Sequence, residues 1–223
     1  MTDSLEQETP RRGFLGQVAV SALALAAAAC RGPAAAVESA TTVPTPGPRG
    51  AAPSNWDDSW TTRLKAKHRA VFDSPEIDDG LALNHTTGYV RAMHDALGSD
   101  DAQTVLVLRH HGVPLAFNDA MWAKYAIGED KKVRDRSGDW ATHNPHAGTI
   151  AAQLLAKGHI VLACDLATRN YAGQISRRLA GATTAAVYQE LKANLIPGVI
   201  LQPTGVYAAH RAQEVGCTYI RST

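Results

Sequence analysis

The sequence has little that would tie it to the commoner specialised classes of protein. Three cysteines in 223 residues are too few for a disulfide scaffold. No stretch reaches the roughly 20 consecutive apolar residues that a membrane-spanning helix needs. Charge of one sign is not in excess: 22 Lys and Arg stand against 21 Asp and Glu. A clearly basic surface of the kind that nucleic acid selects is therefore not expected, and neither is a nucleic-acid partner. No Gly-x-Gly-x-x-Gly, Walker-type loop or Ser-His-Asp order occurs, so nucleotide binding and serine hydrolase chemistry have no motif behind them. The length leaves room for one ordinary domain and excludes a second large one.

What is present begins with an address. A polar, acidic start ends at Arg11-Arg12-Gly13-Phe14-Leu15, and a weakly apolar, Ala-rich stretch then closes on Ala28-Ala29-Cys30. Paired arginines, a short apolar region and small residues at a cleavage point form the layout of an export signal. The Arg-Arg-x-Phe-Leu core resembles the twin-arginine signal, which serves proteins that fold before crossing the membrane, although Pro10 and Gly16 depart from its usual flanks. Cys30 has two readings: the lipid-modified cysteine of a bacterial lipoprotein, or a residue beside a simple cleavage point. Both place the mature chain outside the cytoplasm, in the periplasm or on the outer side of the cytoplasmic membrane, touching a membrane only through a lipid. Residues 31–55 hold five of the eleven prolines and almost no large apolar side chains. Such a segment cannot bury enough surface to offset its ordering entropy and reads as a disordered tether. The expected organisation is a signal over 1–30, a tether over 31–55 and an α/β domain over 56–223.

In that domain short apolar runs alternate with longer amphipathic ones, the pattern of parallel strands joined by helices. The spacing predicts strands over 70–72, 104–108, 159–164, 199–201 and 217–220. It predicts helices over 81–96, from Asn118-Asp119 through Tyr125, and over 149–157, 172–179, 185–191 and 206–214. The expected fold is a three-layer α/β/α sandwich around a five-stranded, mainly parallel sheet. Residues 129–145 read as a polar excursion or lid, and Trp56 and Trp60 as anchors for the start of the domain. In open parallel sheets ligands bind at the carboxyl ends of the strands. The positions to inspect are therefore Asp73 and Ser74, Arg109 to Gly112, Cys164 and Asp165, and Gln202 to Gly205.

Four pieces carry a resemblance: Asp78-Asp79-Gly80, Pro114-Leu115-Ala116-Phe117-Asn118-Asp119, Val161-Leu162-Ala163-Cys164-Asp165-Leu166-Ala167, and the tail from Leu195-Ile196-Pro197-Gly198-Val199 through Pro203-Thr204-Gly205-Val206 to Ile220. Over about residues 68 to 221 the chain resembles the DsrE/DsrF-like family of small α/β proteins associated with sulfur handling. The resemblance implies a homo-oligomer and, for members that act in sulfur relay, a cysteine carrying sulfane sulfur as a persulfide, at a position similar to Cys164.

A thiol is a nucleophile only as the thiolate, which a helix amino terminus or a neighbouring cation favours. Cys164 precedes a helix, Arg169 one turn on is a candidate cation, and Asp165 opposes both. The plainer reading of Cys164 is a small buried apolar residue, which is also the reading for Cys217. A disulfide between the two is excluded, because opposite ends of parallel strands lie about five residues apart at ~3.3 Å each, well beyond ~7 Å. His110 and His111 end the second strand, and His143 and His146 lie in an excursion expected to fold over it. Converging imidazoles would suit a transition metal or haem, but alternation along a strand lets at most one of His110 and His111 face the cleft. The alternative is solvated loop histidines. Asn118 and Asp119 read as a helix cap or as ligand contacts, and Asp73 as a contact at the first strand end. Thr204-Gly205 offers backbone N–H groups to an anion. No cofactor is predicted; a bound metal is the alternative. The expected function is an exported protein that binds or transfers a small sulfur species through Cys164. The alternative is a non-catalytic envelope module binding a small ligand, a metal or a partner protein.

Overall fold

The computed structural model describes residues 56–223; the expected signal and tether, with Arg11, Arg12 and Cys30, lie outside the described residues. Five strands form one sheet: β1 (His68–Ser74), β2 (Ala102–Leu108), β3 (Ile160–Cys164), β4 (Ile200–Gln202) and β5 (Thr218–Arg221). Their order is β4-β3-β2-β1-β5, and every pairing is parallel. Helices α1 (Leu81–Leu97), α2 (Asp119–Lys124), α3 (Ile127–Lys131), α4 (Asp165–Arg178), α5 (Thr184–Ala193) and α6 (Gly205–Glu214) connect them. This is a three-layer α/β/α sandwich. Among the described residues no helix is long and apolar enough to cross a membrane.

The central strands are buried on both faces, which is why they read as unbroken apolar runs. Successive side chains point to opposite faces, and the core divides accordingly. Ala70, Phe72, Leu106, Leu108, Val161 and Ala163 join the larger cluster with residues of α1, α2, α4 and α5. Val71, Val105, Val107, Ile160 and Leu162 join a smaller one with Ala208 and Ala212 of α6, and with Trp60. Trp60 is fully buried in a 3-10 turn, Ser59–Arg63, so the start of the domain is part of its core.

This division positions the site. Helix α4 leaves β3 toward one face, whereas α6 leaves β4 toward the other and crosses to reach β5 at the far edge. Connections that diverge in this way open a crevice at the carboxyl ends of the strands.

Three local expectations are corrected. Helix α4 begins at Asp165, seven residues earlier than its apolar periodicity indicated, because Cys164 caps it and Thr168 Oγ1 donates to the Cys164 carbonyl at 2.9 Å. The segment predicted as one helix over 149–157 is a π-helical turn, Thr149–Leu154, followed by a 3-10 turn, Leu155–Lys157. The excursion is no lid of histidines. Asn144 is buried and donates its side-chain amide to the carbonyls of Leu115 and Phe117 at 2.8 and 2.9 Å, while its N–H donates to Asp119 Oδ1 at 2.9 Å. Those bonds hold the excursion against the loop after β2. His146 packs against Gly80, where an added Cβ would lie 2.3 Å from its ring.

Candidate functional site

A cavity of about 230 Å³ opens in the crevice between α4 and α6. The end of β2 contributes Arg109, His110 and His111; α4 contributes Cys164 at its cap, then Leu166, Ala167, Asn170, Tyr171 and Gln174; the start of α6 contributes Thr204, Gly205 and Val206; and α3 contributes Lys131.

Cys164 is 5% exposed and sits on the cavity wall. Its Sγ accepts the Ala167 N–H at 3.3 Å, so the sulfur stands at the amino terminus of a 14-residue helix. The second amino terminus belongs to α6, where Thr204 Oγ1 accepts the Tyr207 N–H at 3.0 Å. Both termini carry partial positive charge.

Arg109 joins the cavity to the sheet. Its Nε and Nη2 donate to the two oxygens of Asp73 at 2.6 and 2.7 Å, and the Tyr219 hydroxyl donates to the same carboxylate at 2.7 Å. Burial raises the Tyr219 pKa, and its bond to the Asp73 carboxylate adds to the rise, so it stays a donor. The aliphatic part of Arg109 lies on Gly205, where an added Cβ would fall 2.5 Å from both its Cβ and its Cδ. Asp73 is thus a buried structural partner that fixes Arg109, and it does not line the cavity.

Lys131 arrives from the excursion. Its ammonium lies 3.1 Å from Asp130 and 4.4 Å from the centroid of the Tyr171 ring. Asp130 also accepts from the Tyr171 hydroxyl at 3.0 Å and from Arg178. Burial is the main cause that pushes the Tyr171 pKa well above its ordinary value, with Asp130 adding to it. The five-residue helix carrying Lys131 is bounded by left-handed residues that are not glycine, Ala126 and Lys132, with φ of +48° and +57°.

The remaining candidates distribute as follows. His110 and His111 do not continue β2. They open a 3-10 turn, His110–Ala116, with their rings edge to face at 4.1 Å, and both line the cavity. The strand alternation that allowed only one of them to face the cleft does not apply, because His110 adopts φ +50°. His143 and His146 do not line it; His143 lies in a separate depression with Arg134 to Ser137. Arg169 turns away as well: its Nε donates to Asp165 at 2.6 Å, and its guanidinium stacks 4.2 Å from the ring centroid of Tyr188. Tyr188 in turn donates to Asp165 at 2.5 Å, and its pKa is pushed up to about 12, first by burial. Asp165 is therefore paired with Arg169 and Tyr188, and the cationic side chains that line the cavity with Cys164 are Arg109 and Lys131, each with its own carboxylate partner. Asn118 caps α2, accepting the Met121 N–H at 3.2 Å, and Asp119 holds Asn144; neither lines the cavity.

Cys217 is free and buried in the smaller core cluster, whereas Cys164 belongs to the larger one. Burial pushes the Cys217 thiol up to about 11.

Of the residues that line the cavity, the strand-end positions do not include Lys131, Leu166, Ala167, Asn170, Tyr171, Gln174 and Val206. Leu166, Asn170 and Gln174 share one helical face at i, i+4 and i+8, a signal that was available once the helix is started at Asp165.

No family model matches the sequence, and no curated protein matches it. Among solved structures the chain is similar to a protein of unknown function from Methanobacterium thermoautotrophicum, with a TM-score of 0.42 and 21% identity over 69% of this chain and 98% of that one.

Proposed function

We propose that the chain is an exported DsrE/DsrF-like protein, working as a homo-oligomer, that accepts and passes on a small anionic sulfur species through Cys164. The observation that carries this reading is the placement of the Cys164 sulfur on the wall of a cavity that also receives Arg109, Lys131 and two helix amino termini, with no carboxylate among its lining side chains. The step is a sulfane transfer. The Cys164 thiolate attacks the terminal sulfur of a donor persulfide, a new S–S bond forms, the donor S–S bond breaks, and the donor leaves as a thiolate. No net oxidation occurs. The product, a persulfide anion, is held by the same charges, and the cavity volume of about 230 Å³ favours small species over bulky ones.

Charge-matched thiol reagents test this. An anionic methanethiosulfonate should modify Cys164 faster than a cationic one of similar size, by about tenfold at low salt, with the gap closing as salt rises. A faster cationic reagent, or equal rates, would overturn it.

A second reading, anion binding without transfer, is favoured by the 5% exposure of Cys164 and the engagement of its sulfur with the Ala167 N–H. Under that reading Cys164→Ser keeps the affinity for a small anion such as thiosulfate, and no persulfide forms on the unaltered chain.

A further inference from the structure

We propose that Glu76, His110 and His111 form a binding site for a divalent transition-metal ion of the zinc class at the rim of the cavity. One ligand atom from each of the three lies within 4.8 Å of the others, and among the described residues this is the one group of three His, Cys, Asp or Glu side chains that converges so closely. His110 Nδ1 lies 3.8 Å from Glu76 Oε1. Two donors each ~2.1 Å from a tetrahedral ion stand about 3.4 Å apart, so only a few tenths of an ångström separate this pair from a shared ion. The imidazole rings are already in contact, with centroids 4.1 Å apart.

The backbone beneath is built to hold these side chains together. Glu76 follows β1 and the two histidines follow β2, and the strands end in register, Ser74 opposite Leu108. The loops are then joined by the Arg109 N–H to the Ser74 carbonyl at 3.1 Å and the Gly112 N–H to the Pro75 carbonyl at 2.9 Å. Ser74 Oγ donates to the Glu76 carbonyl at 3.0 Å. At Gly112 an added Cβ would lie 2.5 Å from the Ser74 carbonyl oxygen and 2.9 Å from that of Glu76, so the approach depends on glycine. His110 is held at φ +50°, a conformation that a non-glycine residue keeps only where its surroundings impose it.

A simple ion pair does not account for the arrangement. Between side chains 61% and 48% exposed it stabilises little, and it needs no second histidine. Two imidazoles and one carboxylate are a ligand set for Zn²⁺ and for its first-row neighbours, with at least one coordination position left for water or a ligand. Both histidines line the cavity, so that open position is available to a molecule entering it. Cys164 is not a member of the group, and the inference stands or falls separately from sulfur transfer.

The test uses the untagged full chain, stripped with a chelator and dialysed against Zn²⁺ or Co²⁺. One equivalent should bind. His111→Gln and Glu76→Gln should each weaken it by more than about tenfold, since even outer partners of metal ligands are worth that much. His143→Ala and Cys164→Ser should leave it unchanged, and the bound Co²⁺ should show visible d–d bands without a sulfur-to-metal charge-transfer band. Glu76, His111 and His143 are exposed, Cys164→Ser is nearly isosteric at its buried position, and retained circular dichroism confirms that the variants fold. No stoichiometric binding, binding that survives His111→Gln, or binding lost in Cys164→Ser would overturn the site.

Discussion

Arg109 forks onto the buried carboxylate of Asp73, Nε to Oδ1 at 2.6 Å and Nη2 to Oδ2 at 2.7 Å. The two residues sit at the ends of neighbouring strands, Asp73 one residue before the end of β1 and Arg109 one beyond β2. The fork thereby orients the Arg109 guanidinium at the cavity through a carboxylate that does not itself line it.

That geometry predicts the cost of breaking it. Arg109→Met leaves Asp73 buried with only the Tyr219 hydroxyl as a side-chain partner, and should lower the unfolding free energy by about 3 kcal/mol in denaturant titration. Arg109→Lys should recover only part, because a point charge cannot make both bonds. A loss below about 0.5 kcal/mol in Arg109→Met would be the size of an ordinary surface change and would contradict the assignment.

Gly205 tests the contact from the other side. Helix propensity alone favours Gly205→Ala by ~0.5–1 kcal/mol. The added Cβ, however, would lie 2.5 Å from two carbons of an Arg109 side chain whose far end is pinned to Asp73. Overpacking should dominate, destabilising by about 1–3 kcal/mol and slowing modification of Cys164. Gly88→Ala, in α1 with open space around it, should stabilise by ~0.5–1 kcal/mol. The two substitutions should therefore shift the thermal midpoint in opposite directions.

His159 makes stability depend on pH. It is buried, and its Nδ1 accepts the Thr104 N–H at 3.2 Å, so the neutral ring is the one that fits. Burial lowers its pKa, and Lys157 adds to the effect; His146 is lowered likewise by burial, with Asp79 opposing. As pH falls below about 6.5 the unfolded chain takes up protons that the folded chain refuses, so stability declines toward acid. Exposed His94 is raised by Asp95 and Asp100 and acts in the opposite sense, so the readout is a difference. His159→Gln, whose amide oxygen can accept the same N–H, should flatten the slope between about pH 7 and pH 5. An unchanged slope would show that His159 does not carry it.

The sequence made the sheet and the strand ends readable, and the helix starts and the excursion much less so. Val105, Leu106 and Val107 announce a strand buried on both faces, and of the positions to which the rule for open parallel sheets then points, Arg109, His110, His111, Cys164, Thr204 and Gly205 line the cavity, whereas Asp73, Ser74, Gly112, Asp165, Gln202 and Pro203 do not. Asp165, Thr168 and Asn170 are polar and fall before the helix predicted over 172–179, yet Asp165 and Thr168 are buried and hydrogen-bonded within or beside α4. That hid the helical face presenting Leu166, Asn170 and Gln174. Lys131 was not foreseeable, because left-handed turns at Ala126 and Lys132 carry no glycine to mark them. The pairing of His110 with His111 was misjudged for the same reason, a positive φ at a residue that rarely adopts one.

Whether Cys164 accepts sulfane sulfur can be read by site-resolved mass spectrometry of the chain after brief exposure to polysulfide. One sulfur atom should be gained at Cys164 and removed by a small thiol acceptor, with Cys217 unmodified and the gain slowed in Lys131→Ala. Modification confined to Cys217, or none at Cys164 while a neutral thiol reagent of the same size reaches it, would rule out Cys164 as the sulfur acceptor.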